Sequence, residues 1–173
     1  MANAVPFSMF NMLGEYSPSM LKSVHRTQGG RLEDTAANSL AREFAMHLSD
    51  VPMAAQMHVC AASLPPDGSE LTQAGFHALP SRTVAPPRIV ETPVAFECVL
   101  HEKLETASRY VFIGQVRWPS SRQGLVDSHA WRVRLQDYLP VGCFVTSFYV
   151  TTRDRFAIAG SNEAARRTAV DEI

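Results

Sequence analysis

Two apolar-rich stretches near the middle of the chain, Val94–Leu104 (VAFECVLHEKL) and Arg109–Pro119 (RYVFIGQVRWP), are separated only by Glu105–Ser108. Each alternates apolar and polar side chains well enough for a strand. A link this short makes the pair an antiparallel hairpin, because parallel neighbours need a crossover of about a dozen residues or more. The β-rich half of the chain is organised around this hairpin.

Upstream, Asn3–Met12 reads as a strand running into a loop, with Pro6 kept out of any central, fully paired position. Ser17–Pro18 marks a turn, and Ser19–Val24 is a short strand interrupted by Lys22. Asp34 is a good N-cap for a short helix over Thr35–Arg42. Glu43–Leu48 (EFAMHL) fits either a helical continuation or a strand. Val51–Ser63 is helical in propensity, Leu64–Gly68 is a loop, and Glu70–Gly75 is a second short helix ended by Gly75. The prolines of Leu79–Pro87 predict an extended segment. Gln123–Asp127 reads as a turn, and Ala130–Tyr138 as a short helix or irregular stretch. Val141–Thr152 is β-prone, and Arg153–Ile158 follows it. The tail Gly160–Ile173 is polar and without an apolar stripe, so it frays or serves as an arm to a partner. No repeat or linker interrupts this order, so one domain of mixed α and β structure is expected.

Composition narrows the function. A chain of 173 residues with 46% hydrophobic side chains has enough apolar material for a core. Sixteen basic against seventeen acidic side chains, net −1, argue against a nucleic-acid-binding domain. No apolar run approaches the ~20 residues of a spanning helix, and no basic stretch followed by an apolar one opens the chain, so no membrane role and a cytoplasmic location are expected. Cys60, Cys98 and Cys143 are odd in number and far apart, which predicts buried free thiols in place of a zinc site or disulfide framework.

One stretch carries chemistry. Val24–Asn38 (VHRTQGGRLEDTAAN) sets His25, Arg26 and Arg31 around Gly29–Gly30 and runs into Asp34–Thr35. Glycines let backbone N–H groups approach a ligand, arginines add charge, and a helix start adds partial positive charge, so this loop suits a phosphate. A solvated surface loop is the alternative. The six histidines show no HxH or HExxH spacing, so no metal site is expected, and no GxSxG elbow supports a serine hydrolase. His47 and His101 read as satisfied structural histidines, and His25 as a surface one. Trp118 and Trp131 read as core or interface, and Met12, Met20, Met46, Met53 and Met57 as core filling.

NAVPFSMFN at Asn3–Asn11, GGRLEDTAAN at Gly29–Asn38, PSRTVAPPRIVETPVAFEC at Pro80–Cys98 and YVTTRDRF at Tyr149–Phe156 follow one another in register. Together they resemble the flavin-reductase-like family of FMN-binding split-barrel proteins. The resemblance implies a mainly antiparallel split β-barrel with added short helices over residues 1–158, followed by a polar tail over 159–173. It implies FMN as cofactor, with FAD as the alternative, and NAD(P)H as co-substrate. It implies a homodimer with flavin near the subunit interface and a possible partner oxygenase. On the matching positions it places Val5, Pro6, Phe7 and Ser8 along the isoalloxazine, with Asn11 bracing that loop or touching the flavin and Ser23 lining the site. Arg26, Arg31, Asp34 and Thr35 fall in the segment that holds the phosphate and ribityl chain. Asp34 serves as cap or orienting carboxylate, and Asn38 as a brace. Arg153–Asp154–Arg155 either reaches a neighbouring subunit's flavin or is a surface ion-pair run. No catalytic side chain is named, because hydride transfer between aligned rings requires none.

Three departures from the pattern set further expectations. A strand normally precedes the NAVPFS-type segment, and Met1–Ala2 leave no room for one; a shortened reading of the gene is expected, with the tail or a partner's arm as the alternative filler of a sheet edge. Lys22 occupies a position that is normally apolar, so it points to solvent or adds charge near the flavin phosphate. Cys143–Phe148 (CFVTSF) is bulky where relatives are glycine-rich, which narrows the space in front of the flavin. The missing first strand and the bulky 143–148 segment keep a second function open: a flavin-binding carrier or degenerate interaction protein without turnover.

Overall fold

The computed structural model describes residues 4–6, 10–13, 18–25, 27–28, 31–32, 42–62, 64–65, 68–130, 132–145 and 148–154. In chain order the strands are β1 (Phe10–Leu13), β2 (Ser19–His25), β3 (Thr27–Gln28), β4 (Arg31–Leu32), β5 (Glu43–Leu48), β6 (Ala78–Leu79), β7 (Arg88–Ile89), β8 (Val94–Glu105), β9 (Arg109–Ser121), β10 (Val126–Asp127), β11 (Arg132–Val133), β12 (Val141–Val145) and β13 (Phe148–Thr151). Five of them form one antiparallel sheet in the order β1-β2-β9-β8-β5. The hairpin expected from its short link is β8–β9, with β2 flanking β9 and β5 flanking β8.

Glu43–Leu48 is a strand. Its fit to β8 decides between the two periods: Phe44 and Met46 are buried on one face, opposite Cys98 and Phe96, while Glu43 and His47 face the other way. On the first face Met20, Phe44, Met46 and Cys98 form a core cluster, and Val24 packs on Phe112 beside it. Gly114 lies beneath Phe44, where a side chain would not fit.

Glu97 and Cys98 are consecutive, yet neither is exposed. Consecutive strand residues point to opposite faces, so this strand is covered on both sides. A register shift between Glu97 and Cys98 leaves Arg117 as an extra residue on β9 and places Trp118 opposite Glu97.

A second cluster joins Met53, Cys60, Leu71, Ala74 and Phe76, with Ala4 and Ile89 packed against it. Its helical parts are a 3₁₀ turn at Val51–Met53, the helix Ala54–Val59 and the helix Glu70–Ala74. The last ends as its sequence dictates. Ser69 accepts from the Thr72 N–H, Gly75 takes φ 72°, and Phe76 N–H and Gly75 N–H return to the carbonyls of Leu71 and Thr72.

Several expectations are corrected. Leu79–Pro87 is not extended: β6 pairs with β7 and residues 82–86 bend between them. Proline has no N–H to give a ladder, so the chain turns and sends its remaining N–H groups to side-chain acceptors. The turn expected over Gln123–Asp127 is confined to its first part, with Val126–Asp127 pairing Arg132–Val133. Val141–Thr152 is a hairpin, β12–β13. Among the described residues the barrel is not closed: the sheet edges β1 and β5 are left open, because β12 and β13 pair with each other. No helix among these residues is long and apolar enough to cross a membrane. The helix expected at Thr35–Arg42 (Arg42 apart) and the tail lie outside the described residues.

Candidate functional site

Of the residues assigned to a flavin, Phe7, Ser8, Arg26, Asp34, Thr35 and Asn38 lie outside the described residues, as does Arg155. The others can be placed. Val5 and Pro6 run in irregular backbone, anchored by Ala4 N–H on Glu70 Oε2 at 3.4 Å. Asn11 stands opposite Leu21 on β2, two residues from Ser23. Directly opposed residues share a face, and so do residues two apart. Asn11 and Ser23 therefore lie on one face of β1–β2, the face away from Met20 and Val24. Asn11 Oδ1 accepts from Met12 N–H at 2.8 Å, which leaves its amide NH₂ as the outward donor. Ser23 is half-buried and its hydroxyl has no hydrogen bond among the described residues. An amide donor and a hydroxyl on one face suit the ring heteroatoms and hydroxyls of a flavin, so the donor set fits the group.

The chain leaves β2 at His25, whose Nε2 lies 2.9 Å from Arg109 Nη2. The guanidinium donates and the ring nitrogen accepts. This exposed ring is the surface histidine that was expected. The backbone then enters the β3–β4 ladder, with Arg31 in register with Gln28. Of the basic loop, only these two short strands and the end of β2 are among the described residues.

Lys22 corrects the expectation that it points to solvent. It is on the core face of β2, 5% exposed, with Nζ 4.0 Å from the Phe44 ring centroid and 5.6 Å from that of Phe112. That is the face opposite Ser23. Burial pushes its amine down to about 8, partly offset by Cys98, and burial pushes the Cys98 thiol up to about 12. The ring faces compensate part of the lost hydration. Replacing a desolvated ammonium by an apolar chain of similar length removes a cost. Lys22→Met is expected to gain about 1–2 kcal/mol at pH 7. The folded-state value lies below the ordinary 10.5, so wild-type stability recovers as pH rises from about 8 to 10.5. The advantage of Lys22→Met must shrink across that window in urea titrations; a constant gap would exclude the charge as its cause.

On the other face, three acceptors from β5 and β8 hold the bent segment after β6. Glu43 Oε2 accepts from Ala85 N–H at 2.7 Å. His47 Nε2 accepts from Ile89 N–H at 3.1 Å. Glu97 accepts from Arg82 N–H at 3.0 Å and from the Thr83 N–H and hydroxyl at 2.7 Å each, with Arg88 Nε at 3.2 Å. Burial alone would raise the Glu97 carboxyl, but these hydrogen bonds and the Arg88 charge outweigh it and hold it below the ordinary carboxylate range. Burial, with Arg88 adding to it, pushes His47 down to about 4, so it is neutral and carries its proton on Nδ1. Arg82 stacks its guanidinium 4.3 Å from the centroid of the Trp118 ring. His47 is the satisfied structural histidine that was expected, while Glu43 and Glu97 went unread in the sequence, although all three share a face once β5 is paired with β8.

Other expectations divide. His101 is exposed, not a buried structural histidine. Met20, Met46 and Met53 are core, whereas Met12 is 50% exposed. Cys60 and Cys98 are buried free thiols, but Cys143 is exposed. Phe144 and Phe148 are each 71% exposed, so within one chain they fill no pocket.

Among the described residues the frame is an open antiparallel sheet with short helices, with Asn11 and Ser23 on one face of β1–β2. Residues 1–129 match the family described as flavin reductase like domain, and the chain belongs to that family. Membership implies a flavin cofactor. The chain is 42% identical over 103 residues to the protein YwrF of Bacillus subtilis, covering 59% of this chain and 50% of that one, so it spans about half the length of this relative. Among solved structures, it is similar to the 2-nitrobenzoate 2-nitroreductase NbaA of Pseudomonas fluorescens (TM-score 0.81, 29% identity, 93% of this chain and 78% of that one). It is also similar to nitrilotriacetate monooxygenase component B of Bacillus cereus (TM-score 0.82, 26% identity, 90% and 79%).

Proposed function

We propose that the chain is an FMN-dependent oxidoreductase that takes hydride from NAD(P)H, working as a homodimer with the split-barrel flavin site near the subunit interface. The observation that carries this reading is the family match over residues 1–129, which spans both the Asn3–Asn11 and the Gly29–Asn38 segments. The bound flavin would supply hydride acceptance and onward electron delivery. The chain's own residues position and shield it. Asn11 and Ser23 offer donors from one face of β1–β2, with Val5–Ser8 alongside the ring. Arg26, Arg31 and Thr35 take the phosphate end, Asp34 caps or orients, and Asn38 braces. The exposed apolar side chains Phe144, Phe148 and Val150 on β12–β13 give a second copy a face to cover.

Colour tests the reading. Purified protein loaded with FMN is expected to be yellow and to bleach with NADH or NADPH under anaerobic conditions. Yellow protein that never bleaches supports the carrier reading, and protein that rejects FMN removes both. Arg31→Ala is expected to weaken FMN binding by about 1.5–3 kcal/mol, the worth of a hydrogen bond to a charged group. An unchanged dissociation constant, measured by flavin fluorescence, takes Arg31 out of the phosphate site.

A further inference from the structure

A cavity of about 140 Å³ opens where the β6–β7 hairpin meets the start of β8 and the end of β9. Arg88, Thr92, Ser120, Ser121 and Arg122 contribute its polar lining. Thr92 is 8% exposed, and its buried hydroxyl oxygen has no partner among the described residues. Leaving a buried hydroxyl unpaired is costly, so the space beside it calls for an acceptor or a solvent molecule. Ser121 is exposed, and Ser120 has only a long hydrogen bond, 3.4 Å to the Ala95 carbonyl.

The two arginines are only partly neutralised. Arg88 Nε lies 3.2 Å from Glu97 Oε1 as an ion pair but makes no hydrogen bond, and Nη2 donates to the Pro80 carbonyl at 3.4 Å. Its carboxylate partner already accepts from two N–H groups and a hydroxyl, so much of the Glu97 charge is answered elsewhere. Arg122 reaches Asp50 at 3.3 Å and the Asp137 carbonyl at 2.9 Å. A guanidinium has five N–H donors, so both retain donors beyond these contacts. Two guanidinium groups with three hydroxyls around a small space form a donor-rich pocket suited to a group that only accepts.

We propose that this cavity binds the oxyanion end of a small ligand, a carboxylate or a phosphate monoester, separately from the flavin. The inference stands without the flavin reading, since none of these residues belongs to the segments assigned to FMN. Isothermal titration of the full chain with inorganic phosphate and with benzoate, with and without FMN, tests it. At least one probe is expected to bind saturably in the millimolar range or tighter. Phosphate alone points to a phosphate ester, benzoate alone to a carboxylate, and both to an unselective oxyanion site. Thr92→Val, which keeps the shape, is expected to weaken binding about fivefold, and Arg122→Gln about tenfold or more. Thermal melting reports whether each variant still folds, and FMN affinity should stay within twofold of wild type. Absence of saturable binding overturns the proposal. So does binding that ignores both substitutions in folded protein, as for a site elsewhere. A parallel loss of FMN affinity overturns it too, by making the cavity part of the flavin site.

Discussion

Glu97→Ala is expected to cost about 3–5 kcal/mol of folding free energy, the range seen when one partner of a buried ion pair is removed. Glu97 has no exposed surface, and its loss strands the N–H groups of Arg82 and Thr83 and the Arg88 guanidinium, whose side chain is only 18% exposed. Glu97→Gln keeps one acceptor oxygen and should cost about half as much. The pH dependence separates this from a packing effect. The folded-state carboxyl lies below its ordinary 4.5, so its stabilising share is complete above that pH and is lost as pH falls through the folded value. The gap between wild type and Glu97→Ala, read from urea midpoints, should be level from pH 6 to 8 and narrow below about 4.5. A cost under about 1 kcal/mol would mean that water reaches the stranded donors.

Gly114→Ala is expected to cost about 2–3 kcal/mol, although alanine in place of a strand glycine ordinarily stabilises. A Cβ there would lie 2.3 Å from Phe44 Cζ and 3.1 Å from Cys98 Cβ. Phe44 is buried and carries the Lys22 ammonium over its ring, so moving it disturbs a second contact. Gly142→Ala is the control. It lies in an exposed hairpin with its nearest contact, Val150 Cγ2, at 3.3 Å, and should change stability by about 0.5 kcal/mol or less. Equal effects at the two positions would show that glycine's backbone freedom, not the space under Phe44, decides the outcome.

The parts legible from local signals were those whose physics is local. The Glu105–Ser108 link leaves β8 and β9 no partner arrangement but a hairpin. Gly75 ends a helix because a left-handed turn acts within one turn of backbone, whereas the Ser69 cap was seen only in the structure. The family motifs were legible for the same reason: each is a contiguous run.

What stayed unread depends on pairing. In EFAMHL, Glu43 and His47 are four apart and share a face in either a helix or a strand, so only the register with β8 could choose. Lys22 was expected at solvent or near a phosphate because charge favours water. The alternation of β2, set by its pairing with β9, turns it instead toward Phe44.

By itself, the sequence determined the central hairpin, the end of the helix at Gly75 and the family resemblance, because link length, helix-stop chemistry and motif order are properties of contiguous residues. Only the tertiary structure decided which face each side chain takes. It put Lys22 in the core, gathered Glu43, His47 and Glu97 under the proline segment, and set Asn11 beside Ser23. Strand register couples residues far apart in the chain, and no local pattern encodes it.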